Sequence, residues 1–190
     1  MKQQAFLHIL CSLAYTIGGG IGMKHSIGSW QVAGFGFTAA LGTFLHFLYE
    51  WTGSSPVIGL FSAVNESVWE HMKLLFIPML IFSLVESQFI RKKNPDFWCI
   101  KLGGTLTGRL IIPTLYYTYT GIFGISADWF NIAIFYIAAA LVYRLEAKLL
   151  QSPRSCRFPS SAAFATLLLL AAAFGFLTFF PPDIPVFQSP

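Results

Sequence analysis

Apolar stretches close to 20 residues long follow one another through this chain, and that spacing narrows the folds open to it. A helix needs about 20 predominantly apolar residues to cross the hydrocarbon core of a bilayer. Six stretches meet this description, at roughly 5–22, 29–51, 67–90, 98–121, 128–149 and 161–180. Of the 190 residues, 55% are hydrophobic and 11% charged, whereas a soluble domain carries about 25% charged residues. The mean hydropathy is +0.65. The expected fold is therefore all-α, a polytopic transmembrane helix bundle of about six spans forming one domain over residues 1–190. The count falls to five if the first stretch does not cross. Lys2 followed by Ala5–Tyr15 also resembles a signal-peptide opening, but no small-x-small cleavage site precedes Lys24. Gly18-Gly19-Gly20-Ile21-Gly22 weakens a helix there.

The connecting segments alternate in charge. Arg91, Lys92, Lys93 and Lys101 flank one loop, and Arg144, Lys148, Arg154 and Arg157 another. The segments 52–65 and 122–127 have no basic residue, nor does the tail after Phe180. Positive-inside reasoning puts the basic loops in the cytoplasm. The formal charge of +4 is then accounted for without nucleic acid as a partner. Cys11 lies in an apolar segment, while Cys99 and Cys156 fall beside the basic loops, where a cytoplasmic setting keeps thiols reduced. Trp30, Trp51, Trp69, Trp98 and Trp129 all fall near span ends, as expected of a ring that prefers the headgroup level.

In the second stretch, Ala39, Gly42, Thr43, His46 and Glu50 share a helical stripe that should face neighbouring helices. Phe37, Leu41, Phe44 and Leu48 form the opposite stripe, expected toward lipid. Gly104 and Gly108 form a small-x3-small pair, another helix contact. Pro78 and Pro113 fall inside their spans and should kink them.

Two motifs carry most of the polar chemistry. His46-Phe47-Leu48-Tyr49-Glu50-Trp51 closes one span, and Asn65-Glu66-Ser67-Val68-Trp69-Glu70-His71 opens the next. The topology puts both at the outer rim, with Lys73 two turns in, Tyr116, Tyr117 and Tyr119 at the end of the fourth span, and Asp128 opening the fifth. Imidazoles and carboxylates at one-turn spacing are how helices present metal ligands or a proton relay. The candidate ligands of a divalent metal are His46, Glu50, Glu66, Glu70 and His71, and the wider polar site holds Asn65, Lys73, Arg109, Tyr117 and Asp128. A structural account of the same residues stands beside this one. Ser67-x-x-Glu70 is a capping box with Asn65 as alternative cap, and Glu70 can pair with Lys73. Asn65-Glu66-Ser67 matches a glycosylation sequon but sits too near the membrane to serve as one. Arg109, near mid-span, costs about 2.5–3.5 kcal/mol to insert and calls for a carboxylate, carbonyl or water, with Glu66 or Glu70 in reach only if the helices are adjacent. Glu86, near the cytoplasmic end of its span, can snorkel toward Arg91.

At His46–Trp51 and Asn65–Lys73, and again at Pro113 through Tyr117-Thr118-Tyr119-Thr120-Gly121, the chain resembles a family of small multi-pass membrane proteins of Gram-positive bacteria, defined only as a domain of unknown function. The likeness covers residues 29–150. It implies an integral membrane protein and supplies no activity.

Three roles follow from the residues themselves. The first is binding or transport of a cation or metal, favoured by Glu50, Glu66, Glu70 and Asp128 at one rim. The second is a membrane-embedded, metal-dependent hydrolase using His46 or a carboxylate as general base, disfavoured by the lack of a nucleophile or full zinc motif. The third is an accessory subunit whose polar residues lock helices together, in a homo-oligomer or a larger membrane complex. The lipid bilayer is the partner common to all three.

Overall fold

The computed structural model describes residues 26–152 and 156–189. The stretch 5–22, and with it the question of a sixth span, lies outside them, as does Cys11. Among the described residues the fold is all-α. Five long helices, α1 (Ser26–Trp51), α3 (Val68–Ile90), α4 (Phe97–Phe123), α5 (Asp128–Gln151) and α6 (Ser160–Phe179), are joined by short loops. A one-turn helix, α2 (Pro56–Gly59), lies within the first connection, and a 3₁₀ turn, Pro185–Phe187, follows α6. These ranges follow five of the six apolar stretches to within about three residues at each end, as expected for fraying termini. Gly124, left-handed at φ 67°, ends α4, the conformation glycine adopts without a Cβ penalty.

Side-chain pairs fix the direction of each helix. Gln31 near the start of α1 bonds Glu86 near the end of α3, and His46 near the end of α1 meets His71 at the start of α3. Thr38 and Thr43 of α1 bond Tyr143 and Tyr136 of α5. Lys101 at the start of α4 meets Glu146 at the end of α5. Thr178 near the end of α6 meets Glu70 at the start of α3. The result is an up-and-down bundle in which α1, α3, α4 and α5 form a ring and α6 packs against α3 and α4. The segment 52–67, the 124–127 loop and the tail share one end, and the 91–96 connection, the end of α5 and residues 156–159 share the other.

Among the described residues, three helices are long and apolar enough to cross a membrane, over Ile27–Trp51, Val68–Ile90 and Ser160–Phe179. α4 and α5 match them in length but hold Lys101 and Arg109, and Arg144, Glu146 and Lys148, respectively. Large apolar side chains such as Leu110, Ile122, Trp129 and Leu169 are exposed on the outside, which suits contact with lipid.

The inward stripe of α1 differs from the one expected. Gln31, Gly34, Thr38, Gly42 and Leu45 are its buried residues, and Glu50 is exposed. Phe37, Leu41 and Leu48, expected toward lipid, pack against the core, while Phe44 is exposed. The buried face has turned by about one residue because α1 has helices on two sides, α3 and α5, and must fill both grooves. Gly42 lies against the backbone of α3, where a Cβ would stand 3.0 Å from the carbonyl oxygen of Leu74. That carbonyl is the one left without its helical donor by Pro78. The small pair of α4 is a helix contact as expected, Gly104 against Glu146 of α5 and Gly108 against Leu75 of α3 and Val142 of α5.

Candidate metal centre

The chain between α1 and α3 is held tightly enough to position side chains. Ser62 Oγ donates to the carbonyl of Leu45 and accepts from the amide of Tyr49, which ties the loop to the last turns of α1. Asn65 Oδ1 accepts from the amide of Ser67 at 3.0 Å, and Ser67 Oγ accepts from the amide of Glu70 at 3.4 Å as the N-cap of α3. Half of the expected capping box therefore forms. The reciprocal bond from Glu70 does not, because Asn65 takes its place and the Glu70 carboxylate points elsewhere. Glu66 is left in the loop just before the cap.

This arrangement brings Glu66 between two imidazoles. Its Oε1 lies 3.6 Å from His46 Nε2 and its Oε2 lies 3.6 Å from His71 Nε2. One ligand atom from each of the three residues falls within 4.8 Å of the other two. The His46 and His71 rings are 5.6 Å apart at an angle of 47°. His71 Nδ1 is 3.0 Å from the carbonyl oxygen of Ser67. A carbonyl only accepts, so Nδ1 carries the proton and Nε2 offers its lone pair toward Glu66. A carbonyl behind one ring nitrogen is the usual support of a metal-binding histidine. A separation of 3.6 Å is too long for a hydrogen bond. It is close to the roughly 3.4 Å between two ligands on a four-coordinate ion with bonds of about 2.1 Å. Two imidazoles and one carboxylate are a donor set of the kind that holds an ion of the zinc class. A small cavity adjoins it, lined by Glu66, His71, Tyr116 of α4 and Asn131 of α5 over an apolar floor that includes Ile112 and Ile134.

Of the ten residues singled out from the sequence, only His46, Glu66 and His71 meet in this way. Glu50, in the last turn of α1, is exposed and lies outside the cluster. Glu70 is buried and committed. Its Oε2 lies 2.5 Å from Lys73 Nζ and accepts from the amide of Val64 at 3.1 Å, and its Oε1 is 2.8 Å from Thr178 Oγ1. Lys73 also donates to the carbonyl of Gly59 and to Thr178, both at 2.8 Å. This balanced pair bolts the connection and α6 onto α3. Asn65 caps, as described. Tyr117 and Asp128 are exposed and lie outside the cluster. Arg109 has no carboxylate within ion-pair distance among the described residues. Its guanidinium lies over the rings of Phe174, at 5.0 Å, and Trp69, at 5.8 Å.

Two further corrections lie at the opposite end. Lys101 is not a loop charge and Glu86 does not reach toward Arg91. Both are buried, and Lys101 Nζ is 2.6 Å from Glu86 Oε2 and 2.6 Å from Glu146 Oε2. Cys99 and Cys156, expected as separate thiols, are joined in a disulfide with a Cα–Cα distance of 6.2 Å, because the first turn of α4 lies beside the segment entering α6. The partners are 57 residues apart, which hides the pairing in the sequence.

Over residues 22–190 the chain matches a family described as a family of unknown function, DUF6512. It belongs to that family. This agrees with the resemblance to an uncharacterised domain noted from the motifs and extends the matched region to the tail. No curated protein and no solved structure matches the chain.

Proposed function

We propose that this chain is a multi-pass protein of the bacterial plasma membrane that binds a divalent metal ion through His46, Glu66 and His71 at the outer rim of its bundle. The observation that carries the reading is the pair of 3.6 Å separations from the two imidazoles to the two oxygens of one carboxylate, with His71 oriented from behind by Ser67. Exposed Glu50 and Asp128 at the same end add to a field that draws cations. The orientation rests on Arg91, Lys92, Lys93, Arg144, Lys148 and Arg157, all exposed at the other end, which positive-inside reasoning assigns to the cytoplasm. In this reading α4 and α5 also cross, with their charges turned into the bundle or placed near its ends.

The test is metal content and thermal shift of the purified protein with zinc, manganese and calcium. Binding should be lost in His46→Ala and His71→Ala and kept in Glu50→Gln. A wild-type protein without metal and without a shift from any of the three would refute the site and leave the cluster as a polar helix contact.

A second reading, a membrane-embedded metal-dependent hydrolase, is favoured by the cavity beside Glu66 and His71. Catalytic zinc sites have three protein ligands and keep an open position, and Tyr116 and Asn131 line that side. Such an ion would activate water, and the protein residues would orient the substrate. Turnover of lipid-ester or peptide substrates by the zinc-loaded protein, absent in His46→Ala, distinguishes this reading from binding alone.

A further inference from the structure

The buried charges at the end away from the histidines do not balance. Glu86 of α3 and Glu146 of α5 are each 0% exposed and Lys101 of α4 is 1% exposed. Both carboxylates lie 2.6 Å from the same ammonium group. The groups that face them come from α1, α4 and α5. From α1, the amide nitrogen of Gln31 donates to Glu86 Oε1 at 2.6 Å. From α4, the ring of Phe97 stands 5.5 Å from Lys101 Nζ. From α5, the ring of Tyr143 stands 5.6 Å away, with its hydroxyl engaged by Thr38. No second cation faces the cluster among the described residues. Fully ionised, it would hold two buried negative charges against one positive, a state an apolar interior resists.

One oxygen shows where the imbalance falls. Glu86 Oε2 and Glu146 Oε1 are both buried without a hydrogen bond, but Glu86 Oε2 has Lys101 Nζ at 2.6 Å, whereas Glu146 Oε1 has no polar group beside it in the cluster. It rests against the backbone of Gly104, where a Cβ would be 2.2 Å away. The Glu70–Lys73 pair in the same bundle is the contrast, with one acid and one base and a partner for each carboxylate oxygen.

We propose that Glu86, Lys101 and Glu146 form a proton-binding site in which the two carboxyls hold one proton between them at neutral pH, carried at Glu146 Oε1. A metal cation is a poorer occupant, because Lys101 Nζ already stands between the two carboxylates. The proton comes from and returns to the aqueous side at this end, since Glu86, Lys101 and Glu146 are only four or five residues from the ends of their helices, about 6–8 Å. Ionisable groups placed in this way in membrane bundles mark proton or ion pathways.

Infrared spectroscopy of the purified protein in detergent, titrated with pH in water and in heavy water, counts such protons through the protonated-carboxyl stretch. Wild type should show one buried protonated carboxyl at neutral pH. Glu146→Gln and Glu86→Gln should each abolish it, because one acid then faces one base. Lys101→Met should raise it to about twice the amplitude, because both acids then stay neutral. Thermal stability should fall as pH rises in wild type and respond much less in Glu146→Gln. A wild-type spectrum without the band at neutral pH overturns the proposal, as does a band that survives both glutamine variants. If one glutamine variant does not fold, the other together with Lys101→Met still decides between one proton and none.

Discussion

Lys73 Nζ lies 2.5 Å from Glu70 Oε2, and both side chains are buried at the start of α3. The pair also anchors Val64, Gly59 and Thr178, so breaking it strands a charge and frees two segments at once. Removing one member of a buried pair costs about 3–5 kcal/mol. Glu70→Ala and Lys73→Ala should each lose that much in denaturant unfolding of the purified protein. Exposed Glu50→Ala should stay within about 0.5 kcal/mol. The double change Glu70→Leu with Lys73→Met should lose less than either single one, since it leaves no charge behind.

Gly103 and Gly104 are neighbours in α4 with opposite demands. A Cβ at Gly103 meets nothing within 4 Å, whereas one at Gly104 would stand 2.2 Å from Glu146 Oε1 and 2.8 Å from its Cγ. Gly103→Ala should stabilise by roughly 0.5–1 kcal/mol through helix propensity. Gly104→Ala should destabilise by about 1–3 kcal/mol through overpacking. Thermal unfolding of the two variants side by side checks the sign of each.

How much of this was legible in the sequence depends on the range of the interaction. The helices and their alternation could be read because apolar runs and basic loops are local signals, and α1 and α3 through α6 fall where those runs do. His46, Glu66 and His71 could be named because they lie on either side of one connection. Glu50 and Glu70 were grouped with them by one-turn spacing alone. Spacing does not show that Glu70 finds Val64, Lys73 and Thr178, the last of them 108 residues away. The Glu86–Lys101–Glu146 cluster was missed for a similar reason. Lys101 lies close enough to Arg91, Lys92 and Lys93 to count as a loop charge, and only the packing of α3, α4 and α5 turns it inward. The one hint was Glu86, the single acidic residue between Glu70 and the loop, in a run otherwise apolar enough to span.

Arg109 shows the same limit from another side. Its cost in an apolar helix argues for a carboxylate partner, and the structure supplies aromatic faces instead, Phe174 at 5.0 Å and Trp69 at 5.8 Å. A cation over aromatic rings is worth about 0.5–2 kcal/mol. Replacing it strands no acid, and the insertion cost of roughly 2.5–3.5 kcal/mol disappears with it. Arg109→Met should therefore leave stability unchanged or raise it, unlike the loss of Lys73. Trp69 fluorescence should shift at the same time, because the ring loses its charged neighbour.

The Cys99–Cys156 disulfide bears on which way the bundle faces. The two Cα atoms are 6.2 Å apart, within the range a disulfide needs, so the bond closes wherever oxidant is available. The basic loops beside it argue for the cytoplasmic face, where thiols are kept reduced. Both statements hold together if the pair is open in the cell and closes on purification. A membrane-permeant alkylating reagent applied to intact cells should label Cys99 and Cys156, an impermeant one should label neither, and protein purified in air should resist both until reduced. Cys11 would be replaced by serine so that the count is unambiguous. Finding the disulfide already formed in cells quenched with acid and alkylated at once would place this end on the oxidising side. The bundle would then be inverted, and His46, Glu66 and His71 would meet cytoplasmic rather than external metal.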